Sequence, residues 1–495
     1  MNKKIPIVMA VAVFFTLTIS TVYGYQALQG PTELIFWDKE KAYNGYTLFG
    51  AKRGRTNDTF LIDMEGNLVH HWPDTERHPY LLENGNILTR GLKELDWDGN
   101  IVWEFNLPED RPDQDKLHHD QVRIFNKKLN APTTIVISRR HLSKEAALAA
   151  GADPKKTKRD CYPDSIIEVD MKGNIVWEWW SFDHVIQDID PTKPNYVGEG
   201  KTIADYPGKL DMNWGRGVSG DFVHFNSIDY NPVLGQIAVN NSFGSEFWII
   251  NHDGTFIPGD PAASRALSEG PAGDIVYRWG NPGIYGAGKE PSWEYGVSSL
   301  GDQQVFFTHD IQWIKPGLPG AGNFLYFDNG SKRPGPTFSQ VLEINPYDGP
   351  MENGIYVPLM KGGFKGTHDS RQIVWNFNQY VFEKWTHGFY SEHASGCQRL
   401  PNGNTLALCT EDGHFVEVTY GNNEKRIPPE IVWEYINPAT QKHGVVKWLK
   451  PGMGTDPIFR AYRYGPDYPG LAGKILTPKG KLTDVFAQKG NPSSK

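Results

Sequence analysis

Cysteine is scarce in this 495-residue chain: Cys161, Cys397 and Cys409 are the only three. Their spacing fits no zinc-binding pattern. Positive charge is in deficit, with 50 Lys and Arg against 58 Asp and Glu and a formal net charge of −8. Binding by phosphate neutralisation needs the opposite balance, so a nucleic acid is not expected as a partner. Long apolar runs are missing beyond the N-terminus, which excludes a polytopic membrane protein. With 39% hydrophobic and 22% charged residues, the composition also excludes a disordered chain. The abundant residues are Gly (52), Pro (35), Tyr (22) and Trp (16). Many turns together with many aromatics point to short strands and an all-β fold.

The N-terminus reads as an export signal. Lys3 and Lys4 precede the nearly continuous apolar stretch from Ile5 to Ile19, and Val22-Tyr23-Gly24 offers a cleavage site after Gly24. Residues 1–24 are therefore expected to be a signal peptide, or a membrane anchor if uncleaved, and residues 25–495 to be the exported domain. That domain would be periplasmic, or secreted or anchored on the outer side of the membrane. An oxidising compartment permits disulfides, and Cys397 and Cys409 flank the turn Pro401-Asn402-Gly403-Asn404. They are expected to bridge a hairpin, leaving Cys161 odd.

A repeat runs through the chain. Alternating apolar residues, an acidic residue, a Gly turn and an Ile-Val-Trp-Glu-like strand recur around Asp63-Met64-Glu65-Gly66-Asn67, Asp96-Trp97-Asp98-Gly99-Asn100 and Asp170-Met171-Lys172-Gly173-Asn174. The copies end at Trp72, Trp103, Trp177, Trp279, Trp375 and Trp433. Each is a hairpin closed by a Gly turn, with Asp63, Asp96 and Asp170 as turn-stabilising side chains. A second hairpin precedes most copies, as at Tyr80–Leu88 and Gln398–Leu406. Two hairpins make a four-stranded blade, and six Trp strands predict a six-bladed β-propeller with the Trp residues packing between blades. The ring is expected to close where the strand Tyr43–Phe49 meets the C-terminal strand Phe459–Tyr464. Long Gly/Pro-rich loops, near residues 183–220, 283–303 and 347–367, are expected to cover one face.

The chemically informative residues are histidines at the start of the first strand of a blade. Segments beginning at His119, His224, His309 and His393 can be laid over one another, with His78 as a weaker copy before Pro79 that reads as structural. First strands line the central channel, so these imidazoles should converge at one end of it. Such a cluster suits nucleophilic or proton-transfer chemistry, oxyanion binding or metal ligation. Arg333, in a loop after the second strand of the His309 blade, suits a tetrahedral anion. His118 is an additional imidazole beside His119, and Tyr206, Trp214, Phe243 and Tyr285 are loop aromatics available to a ring-shaped substrate.

The segments Phe222-Val223-His224-Phe225-Asn226-Ser227-Ile228, Thr308-His309-Asp310, Phe327-Asp328-Asn329-Gly330 with Arg333, Glu392-His393 and Phe459-Arg460-Ala461-Tyr462-Arg463-Tyr464 make the sequence resemble the bacterial arylsulfate sulfotransferase family. These are exported six-bladed propellers that do not use a nucleotide sulfate donor. The resemblance implies ping-pong transfer of a sulfuryl group from a phenolic sulfate ester to a phenol through a sulfohistidine, with no cofactor. It implies His393 as nucleophile, and His224, His309 and Arg333 holding the sulfuryl oxygens. His309 would also move the phenolic proton. Asn329 and His119, the latter in an extra His site that departs from the family, are expected to contact substrate. The family often carries a separate N-terminal β domain, for which too few residues precede the first repeat here. Two alternatives are a non-catalytic exported propeller binding an anionic or aromatic ligand, and a metal- or quinone-dependent oxidoreductase. Membrane anchoring through the N-terminal segment and homo-oligomerisation stay open.

Overall fold

The computed structural model describes residues 30–75, 77–109, 111–112, 115–294, 297–346, 351–352, 355–356, 372–378, 389–422, 427–450, 453, 455 and 457–487. The leader at 1–24 and most of the loop at 347–367 lie outside the described residues. Among the described residues no helix is long and apolar enough to cross a membrane.

Six antiparallel sheets form the blades of a β-propeller. The second blade is Tyr80–Leu81, Ile87–Thr89, Lys93–Leu95 and Ile101–Glu104, and the third is Lys116–Asn126, Ala131–Arg139, Asp164–Asp170 and Ile175–Trp180. The fourth runs Phe225–Asn231, Gln236–Asn241, Glu246–Asn251, Ile275–Trp279, and the fifth Thr308–Trp313, Phe324–Asp328, Gln340–Ile344, Ile373–Phe377. The first blade takes its inner strand from the C-terminus: Ala461–Tyr464 pairs with Tyr46–Arg53, Tyr464 opposite Tyr46 and Ala461 opposite Phe49. The sixth blade, Gly396–Arg399 to Ile431–Ile436, carries Glu33–Trp37 as a fifth strand on its outer edge. Strands from the N-terminal and C-terminal parts of the chain are thus tied into blades, and pairing of this kind covers strand edges that would otherwise be open.

The repeat explains the blades. In three copies the Asp carboxylate accepts the N–H of the Asn four residues on, at 2.8 Å for Asp63–Asn67, Asp96–Asn100 and Asp170–Asn174. The intervening Gly66, Gly99 and Gly173 have φ of 78°, 88° and 83°, the left-handed region that glycine enters without a Cβ clash. Each of the six Trp residues lies on the outermost strand of the blade repeat, and five donate an indole N–H to the following blade or the loop beside it. Trp72 reaches the carbonyl of Asp96 (3.0 Å), Trp103 that of Met171 (3.1 Å), Trp177 the hydroxyl of Thr255 (3.0 Å), Trp375 the carbonyl of Tyr420 (2.7 Å) and Trp433 that of Met64 (2.8 Å). A large apolar ring with one donor fits this seam, because burial and a satisfied N–H come together.

The expected disulfide is corrected. All three cysteines are free thiols in the core. The hairpin pairs Cys397 with Ala407 and Gly396 with Leu408, so Cys409 stands diagonal to Cys397 and not opposite it. The Cys409 thiol donates instead to the Tyr390 carbonyl at 3.0 Å.

Candidate functional site

The inner strands are bound to one another across the channel by side chains that accept backbone N–H groups from the next blade. Asp120 accepts from Ile228 (3.0 Å), Ser227 from Ile311 (3.0 Å) and Asp310 from Cys397 (2.7 Å). These bonds set the true register. His119, Asn226, His309 and Ser395 precede equivalent positions, whereas His224 and His393 lie two residues upstream. The superposition drawn from sequence therefore fails for two of its four histidines. Three inner strands are bulged, between Leu117 and Gln121, Phe225 and Ile228, and His309 and Gln312, whereas His393 lies ahead of its strand, which begins at Gly396. A bulge adds residues that oppose nothing on the partner strand and re-aims the side chains beside it.

The imidazoles nevertheless converge. Ring centroids of His119 and His224 are 4.8 Å apart, His118 and His119 4.9 Å, and His118 and His224 6.4 Å. Phe459 bridges the channel, 3.6 Å from the ring of His78, 5.8 Å from His119 and 6.3 Å from His309. His119 and His224 have φ of 56° and 58°, a conformation costly for non-glycine residues and concentrated at functional sites.

Each ring has its own environment. His224 Nδ1 lies 2.6 Å from Asp221 Oδ2; burial pulls its pKa down, but the hydrogen bond and charge of Asp221 outweigh burial and leave it above the ordinary value. His118 Nε2 lies 2.5 Å from Asp164 Oδ1. His393 is the most open, its side chain 53% exposed, with Nδ1 against the carboxylate of Glu411; that hydrogen bond raises its pKa. His309 is buried and occupied at both nitrogens. Nδ1 faces the Asn329 side-chain oxygen at 2.7 Å, and Nε2 accepts the Ala394 N–H at 3.1 Å. Burial holds its pKa well below the ordinary value. The Asn329 amide in turn donates to the carbonyls of Ser391 (2.9 Å) and Ala394 (3.0 Å). His309 and Asn329 therefore clamp the segment that carries His393.

Arg333 is buried, paired through Nη2 with Asp328, and sandwiched between Phe306 (4.9 Å) and Phe338 (4.4 Å). Its guanidinium is engaged in the wall behind Asn329. His78 is structural as expected: it stacks on Phe459, and its Nδ1 faces the His119 carbonyl at 2.6 Å. A cavity of about 410 Å³ is lined by Trp214, Arg216, Phe243, Phe307, Ser331 and Lys332 among others. It adjoins the imidazoles through Phe243, stacked 4.7 Å from His224, and Phe307, 5.9 Å from His309. Of the other loop aromatics, Tyr285 packs under Arg278 (4.1 Å) and Tyr206 bonds the Val197 carbonyl (2.8 Å).

Below the histidines the channel is closed by Arg460. Its Nη1 lies 2.7 Å from Asp120 and 3.2 Å from Asp310, and its Nη2 donates to the Asn226 carbonyl at 3.1 Å. Tyr80 donates to Asp120, and Tyr462 to Tyr80. A second cavity of about 810 Å³, lined in part by Tyr80, Asp310, Arg460 and Tyr462, lies against this plug. Among the described residues no group of three or more His, Cys, Asp and Glu side chains is arranged to hold a metal ion.

Sequence reasoning missed Asp221, Glu411 and the Arg460 plug. Asp221 is three residues before His224 and was legible as a partner; Glu411 follows a strand that gives no sign of facing His393.

The fold and site define a six-bladed propeller with a histidine-lined channel mouth. Residues 32–255 match the family model of arylsulfotransferase (ASST), the family that the sequence motifs resemble. No curated protein matches the chain. Among solved structures, a protein of unknown function from Bacteroides caccae is similar at 12% identity, over 85% of this chain and 98% of that one, with a TM-score of 0.40. A putative 6-phosphogluconolactonase from Bacteroides fragilis is similar at 11%, over 88% and 87%, with a TM-score of 0.32. A protein from Lactobacillus plantarum is similar at 8%, over 85% and 99%, with a TM-score of 0.33. Likenesses this distant carry no functional argument.

Proposed function

We propose that this protein is an exported arylsulfotransferase that moves a sulfuryl group from an aryl sulfate to a phenol through His393. The observation that carries the reading is the placement of His393: half-exposed at the channel mouth, with Nδ1 held by Glu411. A carboxylate on Nδ1 fixes the proton there and leaves the Nε2 lone pair outward, the tautomer a nucleophile needs. The same carboxylate stabilises the positive charge that grows on the ring as the N–S bond forms, while the aryl O–S bond breaks and the phenoxide leaves.

The other residues divide the remaining work. His224, whose pKa Asp221 holds above the ordinary imidazole value against the pull of burial, faces the sulfuryl oxygens, where negative charge accumulates in the transition state. His309 and Asn329 position the His393 segment through Ala394 and Ser391. Phe243, Phe307 and Trp214 give the aryl ring apolar faces on which to stack. In this reading Arg333, with its Nη2 paired to Asp328, supports the wall that presents Asn329.

Initial rates with 4-nitrophenyl sulfate as donor and phenol as acceptor test the reading. Parallel double-reciprocal lines are expected for the wild-type protein, and no turnover for a folded His393→Ala variant. Intersecting lines, or turnover in the variant, would overturn the covalent route.

A further inference from the structure

The reaction needs a group to take the acceptor's proton, and the histidine assigned to it by resemblance is not free to do so. A phenol of ordinary acidity, with a pKa of about 10, enters the site protonated near neutral pH. Its oxygen attacks sulfur well only as the proton leaves. His309 has its Nδ1 on Asn329 and its Nε2 on the Ala394 N–H. His118 and His224 are tied to carboxylates, and His78 is bonded to the His119 carbonyl. His119 differs from all of these: neither of its ring nitrogens has a hydrogen-bond partner among the described residues. It is only partly buried, and its ring lies 4.8 Å from that of His224 and 5.8 Å from that of Phe459. Its backbone sits at φ 56°, a strained placement that directs the ring into the cluster.

We propose that His119 is the general base of the acceptor half-reaction. This rests on the sulfotransferase reading above and assigns the proton transfer within it. The phenolic O–H proton passes to a His119 ring nitrogen as the phenol oxygen bonds to sulfur. The bond between sulfur and His393 Nε2 breaks, and its electron pair returns to that nitrogen. The His119 imidazolium then gives its proton to the phenoxide released from the next donor, so the cycle closes without solvent protons. Burial, together with the charges of His118, His224, His78 and His309, holds the His119 pKa well below its ordinary value. The ring is therefore neutral and able to accept a proton when the acceptor arrives.

The ping-pong scheme separates the two half-reactions, so the test reads them separately in the full chain. His119→Asn is the variant of choice, since Asn tolerates positive φ better than most residues. The donor 4-nitrophenyl sulfate releases a weakly basic phenoxide and needs little help, whereas the acceptor phenol needs a base. In His119→Asn, kcat/KM for the donor is expected to stay within a few-fold of wild type, and kcat/KM for phenol to fall by about 100-fold or more, the usual range for loss of a general base. The retained donor rate reports that the variant is folded. Equal losses in both half-reactions would assign His119 a structural role, and an unchanged phenol value would remove it from the chemistry. Wild-type protein that never forms a sulfated intermediate would instead overturn the transferase reading itself.

Discussion

Asp310→Asn tests the electrostatics of the channel directly. Asp310 is 1% exposed, with Oδ1 3.2 Å from Arg460 Nη1 and Oδ2 accepting the Cys397 N–H at 2.7 Å. Burial pushes its carboxyl up to about 6, against the pull of the Arg460 charge. A carboxyl raised from 3.8 to about 6 stays protonated in the folded protein over a pH window in which the unfolded chain has already released its proton. The folded state then binds more protons, so stability falls as the pH rises through that window. A rise of this size corresponds to about 3 kcal/mol, lost between about pH 4 and pH 6. Asn retains an oxygen for the Cys397 N–H but does not titrate. The stability of wild type minus that of Asp310→Asn should therefore fall by about 3 kcal/mol from pH 4 to pH 7, measured by urea unfolding followed through tryptophan fluorescence. Asp211 and Asp412, also pushed up to about 6 mainly by burial, titrate in both proteins and cancel in the difference. Parallel pH curves for the two proteins would refute the reasoning.

Two further substitutions separate chemistry from scaffolding. Glu411→Gln weakens the hydrogen bond and removes the charge that together raise the His393 pKa. The donor kcat/KM rises with pH as the His393 nitrogen is freed, so the variant's acidic limb should move to lower pH; an unmoved limb would detach Glu411 from the nucleophile. Arg333→Ala leaves Asp328 buried without its cation and should cost about 3–5 kcal/mol of stability, read from the urea midpoint. A variant as stable as wild type but lacking turnover would return the guanidinium to the sulfuryl oxygens.

The propeller was legible because its signals are local. An Asp-x-x-Gly-Asn turn sets three of the hairpins, and a Trp seven to nine residues after its Asp packs on the next blade, so a repeat in sequence becomes a repeat in space. The convergence of the histidines was legible for the same reason, since inner strands face one axis. Their register was not: the bulges before Gln121, Ile228 and Gln312 add unpaired residues that look like ordinary strand in the sequence. The partners of the imidazoles were hidden too. Glu411 reaches His393 from the turn after the strand Thr405–Cys409, and Arg333 folds back onto Asp328 at the end of the preceding strand, which sequence alone cannot tell from a guanidinium facing substrate. The hairpin cysteines misled because proximity to one turn does not place two residues opposite each other when the pairing runs Cys397 to Ala407.

The most direct measurement is intact-protein mass, followed by peptide mapping, after wild-type protein is mixed with an aryl sulfate and no acceptor. The account predicts one added sulfuryl group, located on His393, discharged on addition of phenol and missing in His393→Ala. A folded, phenol-releasing protein that never carries that group, or carries it on another residue, would contradict the account.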